Sequence, residues 1–338
     1  MLIQKYLENR VLNPKPFLHI ALVESLIRWD YAFPRKTRII IENPERLPQD
    51  RAAIIAMNHT NPYNYIPFLY QLYREYRADS NRPFPSYAFW SKARFFHNPV
   101  AGRLLAAGNV MPLPSRGYVL AKDFKDTCGR VPDDREYRLL RDLVDETIDQ
   151  AQFLAQANVT LKRFVTTPHA AFDPAEQLYA DYVEAQFETL MQMVTSISER
   201  GLLEQGINIL IFPEGGVSVR LQPGQVGLAQ LALKTGAPIV PVAGNGLDRL
   251  YPDLRPFSQG GEAIYRVGKP LTLEGELAPV AINEPFEPFT RAARDKYNRH
   301  FQAVTGLVMA RLNELLDPPY QFSLDAAPPA RKGAERFV

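Results

Sequence analysis

Ile54-Ile55-Ala56-Met57-Asn58-His59-Thr60-Asn61-Pro62-Tyr63-Asn64 opens with four apolar residues and closes in turn formers. So short an apolar run, half of it β-branched, reads as a buried strand that opens into a loop at His59. Asn61 suits a helix N-cap and Pro62 a first helical residue, which puts Asn64 at N3, from where its side chain can reach back toward His59. Similar runs recur at Thr37 to Ile41, Tyr87 to Trp90, Ile207 to Phe212, Ile239 to Ala243 and Ala263 to Val267, with helical patterns between several of them. That alternation predicts an α/β fold, a mostly parallel mixed sheet flanked by helices, in which sites gather at the carboxyl ends of strands.

The stretch from about Gly117 to Gly206 departs from this rhythm and reads as a helical insertion. One helix is expected over Asp133 to Ala157. A second is expected to start at Asp173-Pro174 and run to about Glu199, with Glu176 as its N3 acceptor. Thr290 to Leu316 carries a third helical stripe. These elements divide the chain into an N-terminal helical segment (1–36), an α/β domain (37–316) with its insertion at about 117–206, and a tail (317–338) rich in Ala, Pro and charge. Phe17 to Phe33 is the most amphipathic early segment; it fits a helix packed on the core or one lying at a membrane surface.

The formal net charge is +2 on 338 residues, without the basic excess of a nucleic-acid binder. The one cysteine, Cys128, excludes an intramolecular disulfide and fits a reducing compartment, so a cytoplasmic location is expected. No stretch reaches the roughly 18 to 20 apolar residues that span a bilayer, and the start, with Gln4, Lys5 and Glu8, does not read as a signal peptide.

Two spots could carry chemistry. A histidine at a strand end, held by a neighbouring side chain on one ring nitrogen, can take a proton on the other, which is the arrangement of a general base. The same His59 and Asn64 could equally satisfy backbone groups at a helix start. Ile207 to Phe212 delivers Pro213-Glu214-Gly215-Gly216-Val217-Ser218 to another strand end, where glycines permit a tight turn whose N–H groups can approach an anion. Glu214 there is either a functional carboxylate or a turn residue in a structural hydrogen bond. His19, His97, His169 and His300 show no metal-ligand spacing.

Taken together, these residues resemble the glycerolipid acyltransferase family, which includes lysophosphatidate and glycerol-3-phosphate acyltransferases. The family's first motif is Asn-His, four residues, then Asp, and Asn58-His59 through Asn64 is similar to it except at the last position. Gly108-Asn109-Val110-Met111-Pro112 with Ser115-Arg116 resembles the second motif, Phe212-Pro213-Glu214-Gly215 with Ser218 the third, and Pro238-Ile239-Val240-Pro241-Val242 the fourth. Lys92-Ala93-Arg94-Phe95-Phe96, Gly227-Leu228-Ala229 and Tyr265-Arg266-Val267-Gly268-Lys269-Pro270 look like the elements between and after them. The resemblance covers about Thr37 to Thr272 apart from the insertion.

The resemblance implies transfer of a fatty acyl group from acyl-CoA or acyl carrier protein to a hydroxyl of a lysophosphatidate-like or glycerol-3-phosphate-like acceptor. In that scheme His59 is the base and Asn64 orients it. Backbone N–H groups near Gly215 and Gly216 stabilise the oxyanion, and Arg116, Glu214, Ser218 and Arg220 bind the acceptor. Neither a metal nor an organic cofactor is implied, because the thioester carries the activation. Lipid substrates imply a peripheral place at the cytoplasmic face of a membrane, with acyl carrier protein as a possible partner. Two positions depart from the pattern: Asn64 stands where the family has Asp, and Val217 where it usually has Arg, so two charges are missing. An asparagine cannot stabilise an imidazolium, and a catalytically weakened or silent relative that binds lipid or acyl carrier is the competing reading. An α/β hydrolase is disfavoured because no Gly-x-Ser-x-Gly elbow occurs.

Overall fold

The computed structural model describes residues 2–8, 10–15, 27–32, 35–78, 84–253, 255, 257–322 and 333–337. Seven strands form one sheet: β1 Thr37–Glu42, β2 Ile54–Met57, β3 Ser86–Lys92, β4 Val110–Leu113, β5 Ile207–Ile211, β6 Ile239–Asn245 and β7 Gly261–Val267, in the order β1-β7-β6-β2-β5-β3-β4. Every neighbouring pair is parallel except β6 with β7. The predicted mostly parallel mixed sheet flanked by helices is therefore present. β1 and β7 run opposite to the other five strands.

Burial on both faces explains the apolar runs of the central strands. All residues of β2, β5 and β6 are buried, and alternate side chains enter different cores. Ile54 and Ala56 face one core with Ile209 and Ile211, whereas Ile55 and Met57 face the other with Leu210 and Val240. The second core is covered by α2 (Tyr65–Ala78) through Phe68, Leu69 and Leu72. The N-terminal α1 is Leu2–Glu8, and α3 is Pro99–Ala107.

The first core lies under the chain between β4 and β5. Five helices occupy that stretch: α4 Arg116–Cys128, α5 Asp134–Val144, α6 Gln150–Gln156, α7 Val159–Thr166 and α8 Tyr179–Leu203. α9 (Gly227–Thr235) and α10 (Arg291–Leu315) pack on the same face, and the Thr290 hydroxyl caps α10 by accepting the Ala293 N–H at 3.1 Å.

Two helix expectations need correction. The single helix over Asp133 to Ala157 is broken after Val144, because Glu146 takes a left-handed turn (φ +58°) and Asp149 with Gln152 forms a capping box that starts α6. Asp173 does not cap α8. Its carboxylate accepts the Ala175 N–H at 2.9 Å in a local turn, and the helix begins at Tyr179. The amphipathic segment expected at Phe17 to Phe33 lies largely outside the described residues. Of it, Arg28–Tyr31 forms a single helical turn. Half of the expected tail, residues 323–332 and 338, lies outside them too. Among the described residues, no helix is long and apolar enough to cross a membrane.

Candidate active site

β2 lies between β6 and β5, with Ala56 beside Ile211 and Met57 beside Val242. Because β2 and β5 are parallel neighbours, the loops Asn58–Asn64 and Phe212–Ser218 leave the sheet side by side. Hydrogen bonds fasten each loop to its surroundings. Asn58 is buried and bonds Gly244 of β6 twice, Oδ1 accepting its N–H at 2.7 Å and Nδ2 donating to its carbonyl at 3.0 Å. Glu214 is buried as well, and its two carboxylate oxygens accept backbone N–H groups from His59 at 2.7 Å and Gln222 at 2.9 Å. The Ser218 N–H donates to the His59 carbonyl at 2.8 Å. His59 is thus gripped by the second loop at both its backbone N–H and its carbonyl.

Its ring is held differently. The imidazole stacks on Phe212, with centroids 4.0 Å apart and planes 17° apart. Nδ1 is buried and has no hydrogen-bond partner. Burial, and then the positive charge of Lys92, push the His59 pKa down to about 4, against a smaller upward pull from the Asn61 backbone. The ring is neutral at physiological pH, the form a proton acceptor needs. Glu214 moves the other way: burial pushes its carboxyl up to about 7, with the two backbone N–H groups opposing that rise.

Asn64 does not orient this ring, contrary to the sequence expectation. Its Oδ1 accepts the Asn61 N–H at 2.7 Å, and its Nδ2 donates to the Asn58 carbonyl at 3.0 Å. The cause is a later helix start. Asn61 through Asn64 form a turn, Asn61 Oδ1 accepts the Tyr63 N–H at 2.9 Å, and α2 begins only at Tyr65. The fully buried Asn64 side chain closes that turn from inside and leaves Nδ1 of His59 to itself.

The other predicted residues separate into two places. Gly215 turns the second loop with φ +68°, a conformation that favours glycine, and its N–H donates to the Phe212 carbonyl at 3.1 Å. It is therefore not a free oxyanion donor. The Gly216 and Val217 N–H groups have no protein acceptor among the described residues. Ser218 is half-buried and Arg220 exposed on the same loop.

Arg116 lies elsewhere, at the first turn of α4, behind its N-cap Ser115. It is not a solvated charge. Nε and Nη2 both donate to the buried Glu184 of α8, the second at 2.6 Å, and the guanidinium carbon sits 4.4 Å from the Phe187 ring centroid. Arg294 of α10 joins Glu184 at 3.2 Å. Burial pushes the Glu184 carboxyl up, but Arg116 and the neighbouring arginines hold it net below the ordinary value.

Sequence reasoning missed Phe212 as the platform under His59 and Asn58 as the tie to β6. A signal for the first existed, since Phe212 follows the strand that pairs with β2. Among the described residues, no three His, Cys, Asp or Glu side chains cluster so as to hold a metal ion.

Residues 38–140 match the family model described as Acyltransferase, a span that includes β2, the Asn58–Asn64 loop and Arg116. No curated protein matches the chain. Among solved structures it is similar to the 1-acyl-sn-glycerophosphate (LPA) acyltransferase PlsC from Thermotoga maritima, at 15% identity over 92% of this chain and 88% of that one, with a TM-score of 0.39. His59 and the Phe212–Gly215 loop meet at adjacent strand ends, and the match to the Acyltransferase family model, which covers under half of the chain, spans the first of them.

Proposed function

We propose that the protein transfers a fatty acyl group from a thioester donor, acyl-CoA or acyl carrier protein, to a hydroxyl of a glycerolipid-type acceptor. The observation that carries this reading is a neutral, half-buried His59 gripped through its own backbone by the Glu214–Ser218 loop. His59 takes the acceptor proton as the hydroxyl oxygen attacks the thioester carbonyl. The C–S bond then breaks, and the thiolate leaves with the proton that His59 returns. Gly216 and Val217 N–H groups are the available donors for the oxyanion, a contribution of about 3 to 4 kcal/mol per donor in acyl transfer.

Glu214 holds the two loops in register and would take an acceptor hydroxyl on a remaining lone pair. Ser218 and Arg220 would meet the acceptor's polar end. Arg116 would contribute to acceptor binding only through its Nη1 edge, because Glu184 holds the other. The reading implies a lipid acceptor, and with it work at a membrane surface on the cytoplasmic side.

One observation favours the competing reading of a weakened or silent relative: Asn64 is fully engaged in its own turn, and nothing negative stands behind Nδ1 to stabilise an imidazolium. The deciding experiment is thiol release from long-chain acyl-CoA and acyl carrier protein across a panel of acceptor alcohols, wild type against His59→Ala. Release that needs both an acceptor and His59 supports the enzyme. Silence across the panel with acyl ligand still bound supports the binding protein.

A further inference from the structure

A second polar feature lies at the β1 edge of the sheet and has no part in the chemistry above. Since β1 runs opposite to β2, its N-terminal end lies at the end of the sheet where β2 and β5 deliver their loops. A groove of about 750 Å³ opens there between β1, α2 and the Arg28–Tyr31 turn. Five cationic side chains line it, Arg28, Lys36, Arg38, Arg74 and Arg77, and no carboxylate does.

For a chain whose net charge is only +2, that concentration in one concavity creates a strong local positive potential. Arg38 pairs with Glu262 at 3.0 Å. Arg28, Lys36 and Arg74 make no ion pair among the described residues. Arg74 lies 5.7 Å over the Tyr70 ring and Arg77 5.9 Å over the Tyr73 ring, so both guanidinium groups rest against the α2 wall. Thr37 and three tyrosines contribute to the lining. Forked guanidinium donors and hydroxyls lining one groove suit phosphoryl oxygens better than a single carboxylate. Cations on both walls suit more than one phosphoryl group.

The groove also shares a wall with the candidate active site. The Tyr31 hydroxyl bonds the Tyr251 hydroxyl, and the Tyr251 carbonyl accepts from Asn61 Nδ2 at 2.6 Å, two residues from His59.

We propose that this groove binds an anion carrying two or more phosphoryl groups, either a soluble pyrophosphate-bearing molecule or a multiply phosphorylated lipid headgroup. The proposal rests on the groove's own residues rather than on the His59 chemistry, and His59→Ala should leave it intact.

Calorimetry on the full chain with inorganic pyrophosphate and with orthophosphate tests the soluble source. Flotation with phosphatidylcholine vesicles doped with phosphatidylinositol bisphosphate, against phosphatidylserine vesicles of equal total charge, tests the lipid source. The variant is Arg28→Glu/Arg74→Glu, two exposed positions. Lys162→Glu/Arg163→Glu, on the exposed face of α7, is the charge-matched control, and circular dichroism confirms that both fold.

Pyrophosphate should bind more tightly than orthophosphate and more weakly as salt rises. The groove variant should lose roughly 100-fold, about tenfold for each charged hydrogen bond removed, while the control changes by less than about twofold. Pyrophosphate binding without a preference for the bisphosphate vesicles assigns the soluble source, and vesicle binding alone assigns the headgroup. Absence of both, or binding that the groove variant leaves unchanged or the control lowers equally, overturns the proposal.

Discussion

Two buried polar clusters in this molecule solve opposite problems. Around Glu184 every charge has a partner: Arg116 and Arg294 hold its carboxylate from α4 and α10, and burial fails to raise its pKa because their charges outweigh it. Around His59 burial is the largest influence on both titrating groups. Glu214 is held by N–H groups alone and rises to about 7, while His59 rests on an aromatic ring beside a lysine and falls to about 4. A paired cluster fixes helices. In the other cluster burial pushes each group toward its neutral form, so that Glu214 titrates near physiological pH while His59 stays neutral there.

The largest expected effect tests that assignment of roles. His59→Ala should lower acyl transfer by about 10³-fold, within the range that a positioned base contributes. The far-UV spectrum should be unchanged, because the backbone N–H and carbonyl of residue 59 that grip the second loop survive the substitution. A variant with wild-type turnover would remove His59 from the chemistry.

Next in size is a pair of pH slopes of opposite sign. His59 has its folded pKa near 4, below the value of about 6.5 it has unfolded, so its contribution is whole above about pH 6.5 and is lost as pH falls toward 4. Glu214 has its folded pKa near 7, above the 4.5 of a free glutamate, so its contribution is whole below about 4.5 and is lost as pH rises through 7. Between about pH 4.5 and 6.5 the two slopes cancel, and wild-type stability should be nearly flat with respect to these groups. Chemical denaturation of the single variants should separate them. Glu214→Gln should lose stability on acidification and His59→Ala on alkalinisation, each by up to about 3 kcal/mol across its window. Matching slopes in the two variants would show that neither pKa is displaced.

Smaller again is the disruption of the paired cluster. Glu184→Ala leaves Arg116, Arg294 and Arg291 facing one another, and breaking a wholly buried pair costs about 3–5 kcal/mol. Arg116 and Arg294 are 24% and 40% exposed, and water will screen part of that repulsion, so a loss of about 2 kcal/mol is expected in urea unfolding. A loss below about 0.5 kcal/mol would place the cluster with ordinary surface pairs.

How far the sequence carried the reading follows from the range of each interaction. β2 and β5 were legible because a short β-branched run bounded by turn formers has few other uses, and parallel pairing then brings His59 beside Glu214 whatever the helices do. The break between α5 and α6 was also written in the chain, as the Asp149 and Gln152 capping box, but the helical stripe over 133–157 hides it. By contrast, the Arg116–Glu184 pair joins residues 68 apart in sequence, and no local pattern announces a partner at that distance. Phe212 was misjudged for a different reason: an aromatic at a strand end reads as core, and only the neighbouring loop turns it into the platform for an imidazole.

The smallest effect concerns Asn64, where the sequence reading and the structure diverge most. As a failed aspartate, it would be improved by Asn64→Asp, which would restore a carboxylate behind His59. The hydrogen bonds oppose that outcome. An aspartate can still accept the Asn61 N–H with one oxygen, but its other oxygen would replace Nδ2 and face the Asn58 carbonyl, turning a 3.0 Å hydrogen bond into a repulsion inside a wholly buried turn. Losing that donor is expected to cost about 1–2 kcal/mol in denaturation midpoint, with a transfer rate equal to or below the wild type, since the turn that carries His59 loosens. A rate that climbs tenfold or more despite the lost stability would mean that the carboxylate swings out to Nδ1, and that an acidic partner is what the His59 cluster lacks.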